Sequence, residues 1–172
     1  FTSANEMLTA HVLPGNDIKI WDGTFNSLGS AVTAVQGFSR TLEVSKDGLD
    51  IYWCGYTNQK IYKYHSDFGT LGPYVLADSF AIGCQVESIA WNKKDGLLYA
   101  SSGNIDTVDY TPPIPKPWQH SVWYAFNATT KAVKDSIVWN WAAYPYNINP
   151  VTNGPRPRGI DFSVSGDTAY VV

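Results

Sequence analysis

Residues 42–75, LEVSKDGLDIYWCGYTNQKIYKYHSDFGTLGPYV, decide how this chain is read. The stretch divides into four short strands with tight turns between them. Its strand segments alternate in aromatic and β-branched residues, the pattern of a half-buried strand.

The unit repeats. Leu42, Val44 and Tyr52 recur 47 residues later as Ile89, Trp91 and Tyr99, and 118 residues later as Ile160, Phe162 and Tyr170. Between the outer members of each trio stands a turn signal: Lys46-Asp47-Gly48, Lys94-Asp95-Gly96 or Ser165-Gly166-Asp167. Asp-Gly and Gly-Asp accept the positive φ that tight hairpins need. The second half of the unit repeats as well. Residues 18–32 align without a gap on residues 61–75, with identical pairs Phe25/Phe68, Leu28/Leu71 and Gly29/Gly72. Val122-Trp123-Tyr124-Ala125-Phe126 is the third copy.

A repeated four-stranded unit of about 45 residues is what a β-propeller blade needs. One such sheet is apolar on both faces and cannot bury them alone; stacked neighbours can. The predicted fold is therefore all-β: a propeller segment of four-stranded antiparallel blades, two complete and two partial, within a larger ring of six to eight. The blades fall at about 1–36 (partial), 37–81, 82–142 and 158–172 (partial), in one domain over 1–172. The two partial blades both contain a second strand, so they do not complement each other. The chain opens at Phe1, without Met or a leader. Together these features predict a segment of a longer chain, with a wide apolar blade face left open at each end.

Residues 158–172, RGIDFSVSGDTAYVV, resemble the opening of a YVTN- or NHL-type propeller repeat, a type found in many bacterial secreted and surface proteins. The shared marks are the Arg-Gly-Ile-Asp-Phe start, the Gly-Asp hairpin and the Tyr-Val that follows. The resemblance implies the fold over most of the chain. It implies no one activity, because propellers host many.

The 172 residues carry 15% aromatics, seven of them Trp, and only 16% charged residues, which favours a β-rich protein. Net charge is −3 and the pI about 5.5, so there is no electrostatic case for nucleic acid or an anionic membrane. No apolar run approaches the roughly 20 residues of a membrane span. Trp21, Trp53, Trp91, Trp123, Trp139 and Trp141 read as blade packing. Cys54 lies on a strand and Cys84 in a lengthened loop after the same blade. They form either a disulfide, which would stabilise by roughly 3–4 kcal/mol, or two buried thiols. Asn127-Ala128-Thr129 is a glycosylation sequon at a turn.

Two insertions stand out. Residues 103–120 and 142–158 carry four prolines each, which forbid regular pairing and stiffen the loops. Loops between second and third strands, and loops between blades, leave a propeller on one face; the Asp-Gly hairpins leave on the other. Both insertions thus share a rim with the Cys84 loop. The rim residues proposed to meet a partner are Asp106, Asp109, Tyr110, Trp118, His120, Tyr144, Tyr146, Arg156 and Arg158. The partner is a protein or carbohydrate at the rim, and further blades or copies of the chain at the open blade faces. Location is extracellular or at the cell surface.

The chemistry-bearing residues are sparse. His11, His65 and His120 share no metal-binding spacing. Asp106, Asp109 and Asn104 offer oxygens to Ca²⁺ but match no defined calcium loop. There is no Gly-x-Ser-x-Gly, phosphate loop or catalytic carboxylate pair. The leading reading is a non-catalytic binding or assembly module with no cofactor. A second is a propeller enzyme, lactonase-like with axial Ca²⁺ near Glu87 or quinoprotein-like, its axial site completed by blades outside this sequence. A third is a structural subunit of an extracellular filament.

Overall fold

The structure, a computed structural model, describes residues 1–82, 86–102, 122–138 and 159–171. Among these there is no helix. Thirteen strands form: β1 (Met7–Ala10), β2 (Ile18–Trp21), β3 (Ser27–Val32), β4 (Leu42–Val44), β5 (Asp50–Gly55), β6 (Lys60–His65), β7 (Val75–Ala81), β8 (Val86–Trp91), β9 (Leu98–Ser102), β10 (Val122–Phe126), β11 (Val133–Val138), β12 (Ile160–Phe162) and β13 (Ala169–Val171). All pair antiparallel, in sheets β1-β2-β3, β4-β5-β6-β7, β11-β10-β9-β8 and β12-β13. Two blades are complete and two partial, as expected. The chain divides into two compact units, Phe1–Gly83 and Cys84–Val172, each with two sheets.

The repeat survives as register. At the hairpin mouth Val44 faces Ile51, Trp91 faces Leu98 and Phe162 faces Ala169. The turns beyond these pairs follow the glycine. Gly48 and Gly166, at φ +78° and +75°, close three-residue steps onto Ser45 and Ser163. Gly96 stands one position later, at φ +70°, and its N–H reaches Asn92 four residues back instead. The turn over residues 2–6 is the same device with Asn5 in the glycine's place, at φ +68°. Asn tolerates that region better than other side chains.

In unit 1 the core is the seam between the two sheets. Ile18, Ile20, Val32 and Val35 of the first blade meet Ile51, Trp53, Tyr62, Tyr64 and Tyr74 of the central one. Strand β5 is buried at five consecutive positions, Ile51 to Gly55, as expected of a strand covered on both faces. Full burial of a side chain such as Ile18 or Ile51 stabilises by roughly 1.5–3 kcal/mol. The hairpins of the two sheets lie side by side: Ser3 Oγ donates to the Asp47 carbonyl at 2.9 Å. In unit 2 the β8–β9 and β12–β13 hairpins likewise touch. Asn92 Nδ2 donates to the Gly166 carbonyl at 3.2 Å, Lys94 pairs with Asp167, and Tyr99 packs edge-on to Phe162 at 4.8 Å.

Two expectations need correction. The gapless alignment of 18–32 on 61–75 does not hold as structure. Ile18 pairs with Val32, whereas the aligned Ile61 pairs with Phe80. Gly72 adopts φ +79° and Pro73 has no N–H to give, so the outer strand of the central blade starts only at Val75. In the first blade no proline intervenes, and the outer strand runs over Ser27–Val32. The second correction concerns the first blade's outward side. Tyr62 and Tyr64 turn toward the preceding sheet and are buried, but the aligned Lys19 and Trp21 are only half-buried. Lys19 Nζ binds Asp17 at 2.9 Å and Ser30 Oγ at 2.7 Å, and Trp21 Nε1 donates to Thr9 Oγ1 at 2.7 Å. That side is a polar, internally bonded surface, not a wide apolar face.

Candidate interaction face

The rim residues read from the sequence, Asp106, Asp109, Tyr110, Trp118, His120, Tyr144, Tyr146, Arg156 and Arg158, lie outside the described residues, as does Cys84. The strands that bracket the first insertion are described. β9 ends at Ser102, β10 starts at Val122, and Trp123 faces Ser101, so the insertion leaves and returns at one end of a paired hairpin.

Unit 1 shows how this class of loop is built. The β1–β2 loop, the connector over 33–41 and the β5–β6 turn converge. Gly15 N donates to Val35 O (3.0 Å), Val35 N to Asn16 O (2.9 Å), Ser39 N to Val12 O (3.1 Å) and Tyr56 N to Phe38 O (2.6 Å). Gly37, at φ +70°, bends the connector across the end of the sheet. Beneath it, Ser39 Oγ caps Thr41 O at 2.8 Å and lies 3.3 Å from the buried Cys54 Sγ.

Three side chains gather on the outside. Phe38 meets Tyr56 edge-on at 5.7 Å, and the Arg40 guanidinium lies 4.9 Å over the Tyr56 ring. A guanidinium on an aromatic face gives a flat cationic surface that suits carboxylates or further rings. Val12 and Leu13 stand exposed on the neighbouring β1–β2 loop. Phe38, Arg40 and Tyr56 stand on short connections, which loop length in the sequence does not mark. The usable signal was two aromatic residues and an arginine at the ends of strand-free turns.

Along β1, β2 and the loop between them a cleft of about 470 Å³ opens, lined by Thr9, His11, Asn16, Asp17 and Lys19 among others. Its carboxylate is committed. Asp17 accepts from Ser30 Oγ, Lys19 Nζ and the Ala34 N–H, and these donors hold it down at about 2. His11 Nδ1 accepts the Leu13 N–H at 3.2 Å. At the other end of unit 1, His65 Nδ1 lies 2.6 Å from Asp50 Oδ1, and Lys63 Nζ 2.8 Å from Asp50 Oδ2. His11 and His65 thus sit in separate settings. Among the described residues no three His, Cys, Asp or Glu side chains are grouped to hold a metal. Glu87 is buried on β8. Asn127 is half-buried, and its Oδ1 accepts from the N–H groups of Thr129 and Thr130. Of the packing tryptophans, Trp53 and Trp123 are buried and Trp21 and Trp91 half-buried; Trp139 and Trp141 lie outside the described residues.

No protein-family model matches the chain, and no curated protein does. Solved structures do. The chain is similar to a functionally unknown protein from Desulfotomaculum acetoxidans DSM 771, at 10% identity and TM-score 0.57, over 92% of this chain and 40% of that one. It is similar to a chain in the crystal structure of a mitotic checkpoint complex, at 13% identity and TM-score 0.55, over 93% and 39%. It is also similar to the β-propeller domain of Cps50 (Swd1) from Myceliophteria thermophila, at 12% identity and TM-score 0.52, over 78% and 40%. The chain spans about two fifths of the length of each. At such identities the likeness is one of fold: an all-β segment of propeller blades.

Proposed function

We propose that this chain is part of a YVTN- or NHL-type propeller that acts as a non-catalytic binding or assembly module, secreted or at the cell surface. Its partner-binding rim lies on the connector face. The observation that carries this reading is the Phe38–Tyr56–Arg40 cluster beside exposed Val12 and Leu13. It stands on the same class of loop that, at 103–120 and 142–158, is long and rich in proline and aromatics. Aromatic and arginine side chains dominate interface hot spots. The partner class, a protein, is supported by analogy of fold with a chain found in a mitotic checkpoint complex.

On this reading Asp106, Asp109, Tyr110, Trp118, His120, Tyr144, Tyr146, Arg156 and Arg158 form the corresponding rim of unit 2. A Cys54–Cys84 disulfide ties its base, a glycan at Asn127 fits secretion, and no cofactor is required. Further blades complete the ring. The test is photo-crosslinking of the full-length protein with benzoylphenylalanine at Tyr56, Trp118 or Lys134. One partner identified from both Tyr56 and Trp118, and not from Lys134 on an outer strand, is the expected result. No adduct at either rim position, or the same adduct at all three, sinks the reading. Intact mass with and without reductant tests the disulfide: a two-dalton gain on reduction is expected.

A further inference from the structure

At the hairpin end of unit 1, Phe25 is 71% exposed, Phe68 79% and Leu71 56%. Contacts place their turns together. A Cβ on Gly23 would lie 3.8 Å from Asn5 Nδ2, Ser3 binds Asp47, and Thr70 Oγ1 donates to Glu6 Oε1 at 3.1 Å. Burial therefore does not explain why two phenylalanines stand at corresponding places in two copies of the repeat.

The Phe25 turn is also strained and rigid. Phe25 holds φ +64°, a region an aromatic residue rarely adopts. Asp22 enforces it: Oδ1 accepts from Thr24 N (2.8 Å), Thr24 Oγ1 (2.8 Å) and Asn26 N (2.9 Å), and Oδ2 from Asn26 Nδ2 (3.0 Å). Two backbone bonds, Phe25 N to Asp22 O and Asp22 N to Asn26 O, close the loop at 3.0 Å each. The result is a turn whose backbone is already ordered and presents Phe25 to water, so that docking on it costs little backbone entropy.

The same end is acidic. Its turns carry Glu6, Asp22, Asp47 and Asp67 against Lys46 alone, and the Asp67 side chain is 80% exposed. Lys63 and His65 are engaged with Asp50, and His65 Nε2 also lies 3.4 Å from Asp67 Oδ1, which leaves Lys46 as the one other cationic side chain on these turns. Charge complementarity therefore selects a basic partner, and the exposed rings select an apolar one.

We propose that this end of unit 1 docks a peptide segment of another protein whose aliphatic side chains are flanked by Lys or Arg, with Phe25 as the anchor. The surface is remote from the connector face in unit 1 and stands or falls separately from it. The experiment is selection of phage-displayed random peptides on the full-length protein, followed by affinity measurement with a synthetic selected peptide. Peptides rich in Lys or Arg around aliphatic residues are expected. Their affinity should fall at least about tenfold in Phe25→Gly and weaken as salt rises. The melting temperature of Phe25→Gly should hold or rise, because glycine accepts positive φ. Phe68→Ser is the second variant and should weaken binding too. An acidic or purely polar consensus, no enrichment, or affinity unchanged in both variants overturns the proposal.

Discussion

The indole of Trp53 and the carbonyl of Gln36 are joined by a hydrogen bond of 2.9 Å across 17 residues of sequence. The N–H of the same Gln36 donates to the Tyr64 hydroxyl at 3.0 Å. Two neighbouring strands of the central blade thus hold one residue of the connector from both sides. Trp53→Phe keeps most of the packing and should cost about 1–2 kcal/mol; Trp53→Ala should cost about 3–5 kcal/mol. Urea unfolding measures both. Tyr64→Phe combined with Trp53→Phe should cost less than the sum, because both bonds fix the same residue.

Gly48 is required twice over. Its φ is +78°, and a Cβ there would stand 2.6 Å from Thr70 Cγ2 and 3.0 Å from Ser3 Oγ. Gly48→Ala should destabilise by about 1–3 kcal/mol. Asn5→Gly, at the equivalent turn, should change stability by only a few tenths of a kcal/mol, since the backbone already visits φ +68°. A reversal of that order in thermal melts would show that the two turns are not the same device.

Asp17 and Asp22 both lie at about 2, below the ordinary 3.8, because hydrogen-bond donors favour the charged carboxylate. A depressed folded-state value means stability that is present above about pH 4 and is lost as pH falls toward 2. Melting temperature should therefore decline over that window. In Asp22→Asn the decline should be shallower and the value at neutral pH lower. A decline unchanged by that substitution would remove Asp22 from the account.

Tyr74 donates to Gly48 O at 2.6 Å and Thr70 O at 2.9 Å, and ties two turns of its own blade. Burial first, then Glu6, Asp47 and Asp50, push its phenol up to about 12. A raised value favours the protonated phenol in the fold. Its stabilising effect is whole below pH 10 and lost as pH climbs through 12. Absorbance titration should show the same number of tyrosines ionising near pH 10 in the protein and in Tyr74→Phe, with the variant lacking one that ionises late. That variant should also lose roughly 1–2 kcal/mol at neutral pH.

Much of the blade was legible beforehand because strands and hairpins are local. Alternating Ile, Tyr and Trp at 51–53 and 61–64 fix where strands run, and Asp-Gly fixes where they turn. Matching offsets in Val44/Ile51, Trp91/Leu98 and Phe162/Ala169 carried over into register without change. The alignment failed at Leu28/Leu71, where identical residues stand on a strand in one blade and in a turn in the other. Similar letters there do not mean similar pairing, since Pro73 removes a donor that Ser30 supplies. The rim residues of 103–120 and 142–158 are marked in the sequence by loop length. A short connector such as 33–41 was invisible to that criterion, although it positions Phe38 and Arg40.

The amino-acid order alone settled the class of fold and the division into two complete and two partial sheets, because these depend on neighbours a few residues apart. Only the packed molecule decided which side chains face a neighbouring sheet and which face water. Tyr62 and Lys19 occupy aligned positions, yet one is buried in the seam and the other bonds Asp17 and Ser30 on the outward side. Phe25 is a repeated aromatic residue in the sequence and stands 71% exposed in the fold. Burial is settled by contacts between residues far apart in the chain, and no local pattern encodes those.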